Sequence, residues 1–567
     1  MSEKKWHLKP VPETSKVKAL ASALNVAEPL ATLLLQRGID TFDLARDFFR
    51  PELQQLHDPF LMKDMQHAVD RLVKAVNTKE KILVYGDYDV DGTTSVALVY
   101  NFLARYHKEI DFYIPDRHKE GYGISYVGID WANEHGYTLI ISLDCGIKSP
   151  QHIEHASKLG IDFIICDHHN PGEVIPKAVA VLDPKQKDCR YPYKELSGCG
   201  VGFKLLQAFC AQKNISQEEL YPSLDLVAVS ICADIVPITG ENRILTWYGL
   251  KQLNKSPRPG LEALIQFSAF KKELNVSNVV FGIAPRINAA GRIKHARDAV
   301  KLLLAGTLAE AAEDAKLIDS NNLLRRDVDS RMTEEALELI TQNEKFKRAK
   351  STVLYKEDWH KGVIGIVASR CMDHYYRPTI ILTQSEGKVA GSARSVWGFD
   401  VYEAIAACSD HLIQFGGHMY AAGLTMYPEQ VESFRERFEE VVSSRISDEL
   451  LIPRQEIDLE LPLSEINYKL YNIIRQMAPF GPENMQPVFM ARGVQDIGSV
   501  RLLKDQHLKM KITQEGSAPI DVIGFGMPQH FERIKKGEKF NVCFTLEEND
   551  FQGQTTLQLV VKGIQFS

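Results

Sequence analysis

At 567 residues, 44 % of them hydrophobic, with a formal net charge of −7, the chain is too long for one hydrophobic core and apolar enough to fill several. No apolar run approaches the roughly 20 residues a membrane span needs, and MSEKKWHLKP lacks the apolar core of a secretory signal, so a cytoplasmic protein without a membrane partner is expected. The nine cysteines are scattered, odd in number and free of any C-x-x-C pair, which points to neither a zinc site nor a disulfide framework. A negative balance also speaks against indiscriminate phosphate binding, although the acidic Glu429 to Glu460 region leaves room for a local basic groove elsewhere.

Residues 1–60 read as a small helical segment with no assigned chemistry, since Leu20, Leu24, Leu30, Leu34 and Leu35 cluster ahead of turn signals at Gly38 and Pro51. From 61 to 240, short apolar runs alternate with helical stretches, the pattern of a doubly wound, mostly parallel α/β sheet. Ala68 to Val76 is predicted as an amphipathic helix beside the first strand, Ile82 to Tyr85. Thr93 to Tyr106 carries helix-period apolar residues, so Asp87, Asp89 and Asp91 fall between strand and helix, where open α/β sheets bind ligands.

Alternate residues of an extended segment point the same way, which would bring these three carboxylates close together. Hard divalent cations relieve their repulsion, and carboxylate oxygen suits magnesium or manganese. Alone, such a loop reads as a solvated acidic turn. It is not alone: TLIISL ends at Asp144, IDFIIC ends at Asp167, His168 and His169, and SICADIVP, read as a further strand end, holds Asp234. A parallel sheet gathers its strand ends on one edge.

Between these stretches, the Gly-rich loop Pro115 to Gly123 holds Arg117, His118 and Lys119, which suit either a plain turn or a phosphate. Residues 241–348 are predicted as a helical connector, with a helical run from Thr307 to Thr341 broken near Asp319 to Asn322. Within it PRINAAGR separates Arg286, Asn288 and Arg292 by small residues, either as a helix start after Pro285 or as a place where another backbone approaches. Residues 349–448 form a second α/β unit (STVLY, GVIGIVASR, TIILT, KVAGSARS). Its turn from Gly416 to Gly423 surrounds His418, and with Ser392 and Arg394 makes a candidate phosphate nest. From 449 to 567, six strand-like segments suggest a β-barrel of OB-fold type. There Arg501 to Phe540 holds eight Lys/Arg against five Asp/Glu, with Phe525, Phe531 and Phe540 read as core or, for one or two of them, as base-stacking rings.

DYDVDGTTS, SLDCGI, CDHHNPG and ADIVP, in that order, resemble the four motifs of the DHH phosphoesterase superfamily. PDRHKEGYG, PRINAAGR, GSARS, GGHMYAAGLT and FGPENMQPVF are similar to segments of its RecJ family, bacterial exonucleases specific for single-stranded DNA, over roughly residues 60–567. The resemblance implies a DHH catalytic domain (61–240), a DHH-associated domain (349–448) and a nucleic-acid-binding OB-fold (449–567). It also implies two divalent ions, Mn2+ or Mg2+, for phosphodiester hydrolysis. Asp89 would hold one ion, Asp91, His168 and Asp234 the other, and Asp144 both. Asp87, Asp167 and His169 would ligate or orient, with His169 alternatively on the phosphate. Arg117, Arg286, Arg292, Ser392, Arg394 and His418 would line the DNA path, in a cleft between the two α/β lobes too narrow for a duplex.

The resemblance alone implies 5′→3′ polarity and work with a helicase and a single-strand-binding protein in recombination or mismatch repair. Asp116, His118, Lys119, Met419 and Tyr420 depart from the family's common pattern. The rival readings are a DHH phosphodiesterase for short or cyclic oligonucleotides, which would need no barrel, and a non-catalytic scaffold, which would be expected to have lost ligands.

Overall fold

The runs ILVYG, IDFY, LIISL, DFIIC and AVL become five strands, Ile82–Gly86, Ile110–Tyr113, Leu139–Leu143, Asp162–Cys166 and Ala180–Leu182. In this computed structural model, which describes residues 4–117, 119–268, 270, 272–551 and 553–566, they form one all-parallel sheet. His118 lies outside the described residues. Counted along the chain, the strands lie in the order second, first, third, fourth, fifth. The order therefore reverses between Ile82–Gly86 and Leu139–Leu143, and the crevice beyond the strand ends at such a reversal is where this architecture takes ligands. Both of these strands are buried at every position, so their sequences run continuously apolar instead of alternating. Val84, Ile141 and Ile164 face one core with the helix Val90–Leu103, while Leu83, Ile140 and Phe163 face the other with Ile129 and Ile153.

Two expectations fail here. SICAD is not a strand end but the last turn of the helix Leu224–Asp234. That helix is buried along nearly its whole length, so it is apolar all round and shows no period to separate it from a strand. Asp91 lies in the first turn of Val90–Leu103 rather than on an extended segment. Helix Leu224–Asp234 also packs against Gly240–Lys255 at close range: a Cβ on Gly249 would overlap the Leu224 carbonyl oxygen.

The chain divides into two units, Arg46–Leu324 with Met477–Met485, and Met1–Ala45, Arg325–Gln476 and Gln486–Ser567. The first does not stop at 240. Leu261, Val279, Ile287, Val300, Leu302, Ala311 and Ala315 belong to the same core as the catalytic sheet. Met477–Met485, which takes in part of FGPENMQPVF, joins it too: Arg243 Nη1 donates to the Met477 carbonyl at 2.9 Å and Ile238 N donates to the Pro482 carbonyl at 2.9 Å. The expected break near Asp319 to Asn322 does not occur. Helix Leu308–Gln342 runs through it because Asn321 and Asn322 are buried, and burial outweighs their weak helix propensity.

In the second unit, Lys5–Leu8 is a strand where only helix is expected, paired in parallel with Arg454–Ile457. Its partner is hundreds of residues away, and no local pattern announces it. A five-stranded sheet follows in the order Gln414–His418, Ala421–Met426, Lys388–Arg394, Thr379–Ser385, Thr352–Tyr355. GGH and AAG are therefore mostly strand, and only Met419 and Tyr420 make the turn between them. The C-terminal sheet has seven strands, and Phe489–Asp496 pairs with both Phe540–Phe551 and His507–Thr513, which curls it into the expected barrel. It gains Arg501–Leu503, while EIDLEL contributes only Leu459–Glu460. Phe540 is core and Phe525 is exposed. Among the described residues no single helix is long and apolar enough to cross a membrane.

Substituting Gly249→Ala should destabilise the first unit by about 1–3 kcal/mol, because the added methyl has no room between the two helices. Urea denaturation should show the midpoint falling, and an unchanged midpoint would mean that the helices move apart freely.

Candidate metal centre

The loop after Ile82–Gly86 folds hard onto the helix it precedes. A Cβ on Gly92 would overlap the Asp87 carbonyl oxygen, so only glycine lets the turn close. Asp89 caps the helix, its Oδ1 accepting from Gly92 N at 3.0 Å. Asp91 is anchored by a different helix: the amides of Gly198 and Cys199, at the start of Gly198–Lys213, donate to its Oδ2 and Oδ1 at 2.6 and 2.8 Å, and Ser230 Oγ donates at 2.7 Å. The positive end of that helix thus faces a carboxylate. Asp144 sits at the sheet reversal with φ +60, in the left-handed region, and a Cβ on Gly198 would lie 2.7 Å from its own Cβ.

These side chains converge on His168. Its Nε2 lies 3.1 Å from Asp144 Oδ1, 3.5 Å from Asp234 Oδ2 and 3.6 Å from Asp91 Oδ2. Two sets of donor atoms, Asp91 with His168 and Asp234, and Asp144 with His168 and His169, each fall within 4.8 Å of one another. Burial first, then the charges of their neighbours, pushes the carboxyls of Asp89, Asp144 and Asp234 above the usual range. Burial also lowers the pKa of His168.

The donor set fits divalent cations. Both ring nitrogens of His168, and Asp87 Oδ2, are buried without a hydrogen-bond partner among the described residues. Buried polar atoms are normally satisfied, and crowded carboxylates normally repel, so a cation answers both deficits. Oxygen with one or two imidazoles suits manganese or magnesium. Burial raises the Cys145 and Cys166 thiols, and neither belongs to the two donor sets above.

Around this group the remaining residues orient. Asp167 Oδ1 accepts from His168 N (2.7 Å), His169 N (3.2 Å) and His169 Nδ1 (2.7 Å), and its Oδ2 accepts from Ile147 N at 2.9 Å. With both oxygens so engaged, Asp167 fixes the His169 ring. Burial lowers the His169 pKa, but the hydrogen bond and charge of Asp167, with Asp234 and Asp89, raise it to about 9. Asp87 is buried beneath, its Oδ1 held by Gly123 N at 3.1 Å. Tyr122, absent from the expected set, has a half-exposed ring, but its hydroxyl reaches in to 3.0 Å from His169 Nε2. Its place between Gly121 and Gly123 in the PDRHKEGYG motif was the available signal.

The DHH family N-terminal domain matches residues 81–231, the DHHA1 domain 348–444 and the RecJ OB domain 457–563. The single-stranded-DNA-specific exonuclease RecJ of Bacillus subtilis (strain 168) is 38 % identical over 571 residues, covering 100 % of this chain and 71 % of its own length. The chain belongs to the RecJ family. Its Escherichia coli (strain K12) relative of the same description is 33 % identical over 526 residues, 89 % of this chain and 90 % of that one. The crystal structure of RecJ in complex with Mn2+ from Thermus thermophilus superposes with a TM-score of 0.84 at 26 % identity, covering 99 % of this chain and 80 % of that chain.

Of the residues expected to hold DNA in this RecJ-family chain, Arg117 stacks its guanidinium 4.8 Å from the Tyr88 ring centroid, beside the metal loop. The charge of Arg292 also reaches Tyr88, and Gly291 packs on the same residue. Arg286 is engaged inside the fold, by Asp319 at 2.8 Å and the Gly282 carbonyl at 2.6 Å. In the DHHA1 domain Arg394, Ala421 and His418 are cross-strand partners, as are Ser392, Gly423 and Gly416, so each row shares one sheet face. Gly365, in the first turn of helix Ile364–Tyr375, leaves the room that Ser392 Oγ and Arg394 Nη2 occupy. Ser392, Arg394 and His418 form a strip of polar side chains beside glycines, where a sugar-phosphate backbone can lie close.

Substituting Gly198→Ala should displace Asp144 while leaving the sheet folded. Isothermal titration with Mn2+ should show affinity falling about 10–100-fold with little change in melting temperature. Unchanged affinity would mean that this close packing does not set the Asp144 position.

Proposed function

We propose that the chain is a metal-dependent exonuclease that hydrolyses single-stranded DNA from the 5′ end, and that it binds two divalent ions, Mn2+ or Mg2+. The observation that carries this reading is the His168 ring, buried among Asp91, Asp144 and Asp234 with both nitrogens unpartnered among the described residues, in a chain whose relatives are named for this activity. Asp89, Asp91, Asp144, His168 and Asp234 would hold the ions. When bound, the cations supply positive charge to a phosphodiester and make water a stronger nucleophile near neutral pH.

The chain's own part is positioning. The Gly198 and Cys199 amides and Ser230 hold Asp91 in one orientation, and Asp167 keeps the His169 ring fixed. Nε2 of His169, with the Tyr122 hydroxyl beside it, faces the place where a non-bridging phosphate oxygen would gain negative charge during attack. Arg117 and Arg292 add positive charge on the Tyr88 side. Ser392, Arg394 and His418 hold a phosphate of the strand. The family resemblance supports the 5′→3′ polarity. A helicase and a single-strand-binding protein, in recombination or repair, are the partners that would expose and deliver such a strand.

Asp144→Ala should lower Mn2+-dependent release of nucleotides from a labelled oligonucleotide by about 10⁴-fold, and the melting temperature should not fall, because a repelled buried carboxyl is removed. Turnover near the wild-type rate would overturn the reading. Blocking the 5′ end of the oligonucleotide should stop release and blocking the 3′ end should not; the opposite pattern would reverse the polarity.

A further inference from the structure

Two large aromatic residues stand at the end of the sheet that carries Arg394 and His418. Trp397 is 54 % exposed and Tyr420 is 45 % exposed. Neither fills a core, and apolar surface of that size gains free energy only when something covers it. Their positions are built. Leaving Arg394, the chain is tied to the tip of the hairpin formed by Gln414–His418 and Ala421–Met426: Ser395 N donates to the Tyr420 carbonyl at 3.0 Å, Val401 N to the Met419 carbonyl at 3.0 Å, and Gly398 N to the Tyr420 hydroxyl at 3.4 Å. Arg454 then places its guanidinium 4.5 Å from the Trp397 ring centroid, which fixes the indole and makes the patch cationic. Tyr376 lies in the same group, with Trp397, Arg454 and Tyr420 all acting on its phenol.

We infer that Trp397 and Tyr420 form a stacking wall for the base of the terminal nucleotide whose phosphate lies on Ser392, Arg394 and His418. The inference rests on the exonuclease reading above. The occupant follows from the neighbours. Arg454 puts positive charge beside the two exposed rings, and a nucleotide brings a negative phosphate together with a flat apolar base. Every base has a π-face, so stacking holds the strand without reading its sequence. A paired terminal base brings its complementary strand with it, so an unpaired end reaches this wall with less to accommodate. Selection for single strands thereby acquires a contribution from the end of the DHHA1 sheet, with Arg454 behind it.

The test uses the full-length protein under chelation, so that oligonucleotides bind without being consumed, with 5′-phosphorylated oligothymidylate as the probe. Binding should quench tryptophan emission in the wild type, and Trp397→Phe, which keeps a ring against Arg454, should bind while losing most of the quench. An oligonucleotide with an abasic terminal nucleotide should bind the wild type about tenfold more weakly. Trp397→Ala should bind the ordinary oligonucleotide about tenfold more weakly and respond less than twofold to the abasic change. If Trp397→Phe keeps the quench, or Trp397→Ala keeps the tenfold abasic response, the inference is overturned while the exonuclease reading stands. If the wild type binds and degrades no single strand, both fall together.

Discussion

Carboxylates crowded out of water are the constraint on which the rest of the first unit depends. Asp87, Asp89, Asp144 and Asp234 are each pushed toward the neutral form by burial and by neighbouring carboxylates, and the ring nitrogens of His168 are buried without a hydrogen bond among the described residues. A metal-free protein holds such a cluster at a loss, because unpaired buried charge is expensive. The arrangement persists because backbone amides and helix ends hold its members in place: Gly123 N on Asp87, Gly92 N on Asp89, Gly198 and Cys199 N on Asp91. Backbone donors are rigid and cannot swing away. Repulsion is thus converted into affinity for cations.

Close approach is the second requirement, and it explains where the small residues fall. Gly92 lets the acidic loop touch its own helix, Gly198 brings the helix that caps Asp91 against Asp144, and Gly249 seats the helix that ends in Asp234. Each removes a Cβ at a point where two backbones, or a backbone and a ligand residue, must meet. The geometry of this cluster is set as much by missing methyl groups as by the carboxylates themselves.

The DHHA1 domain meets a different problem with a different material. Its sheet face offers Ser392, Arg394 and His418 beside Gly416 and Gly423, a surface smooth enough for a sugar-phosphate chain. Polar and cationic side chains of this kind hold any phosphate. Discrimination has to come from something that a paired base cannot do, and aromatic rings held at the sheet end by backbone hydrogen bonds supply it.

Much of the site could be read directly from the residues. Asp87, Asp89, Asp144, Asp167, His168 and His169 each follow an apolar run, and in a parallel sheet the runs alone gather their ends on one edge. The barrel at the C-terminus was equally plain, because half-buried strands alternate. Whatever depended on partners far away in the chain was not readable. Asp234 ends a helix buried all round, whose sequence has no period; Lys5–Leu8 becomes a strand only because Arg454–Ile457 comes to lie beside it; Tyr122 enters the site by its hydroxyl and its ring, both against His169. The reason is one of range. Burial patterns are written into each segment by its own neighbours, and so the sequence by itself determined the strands, their loops and the ligand types. Which carboxylate meets which amide, and which ring is left facing solvent, was decided only when distant segments packed, because those contacts have no counterpart along the chain.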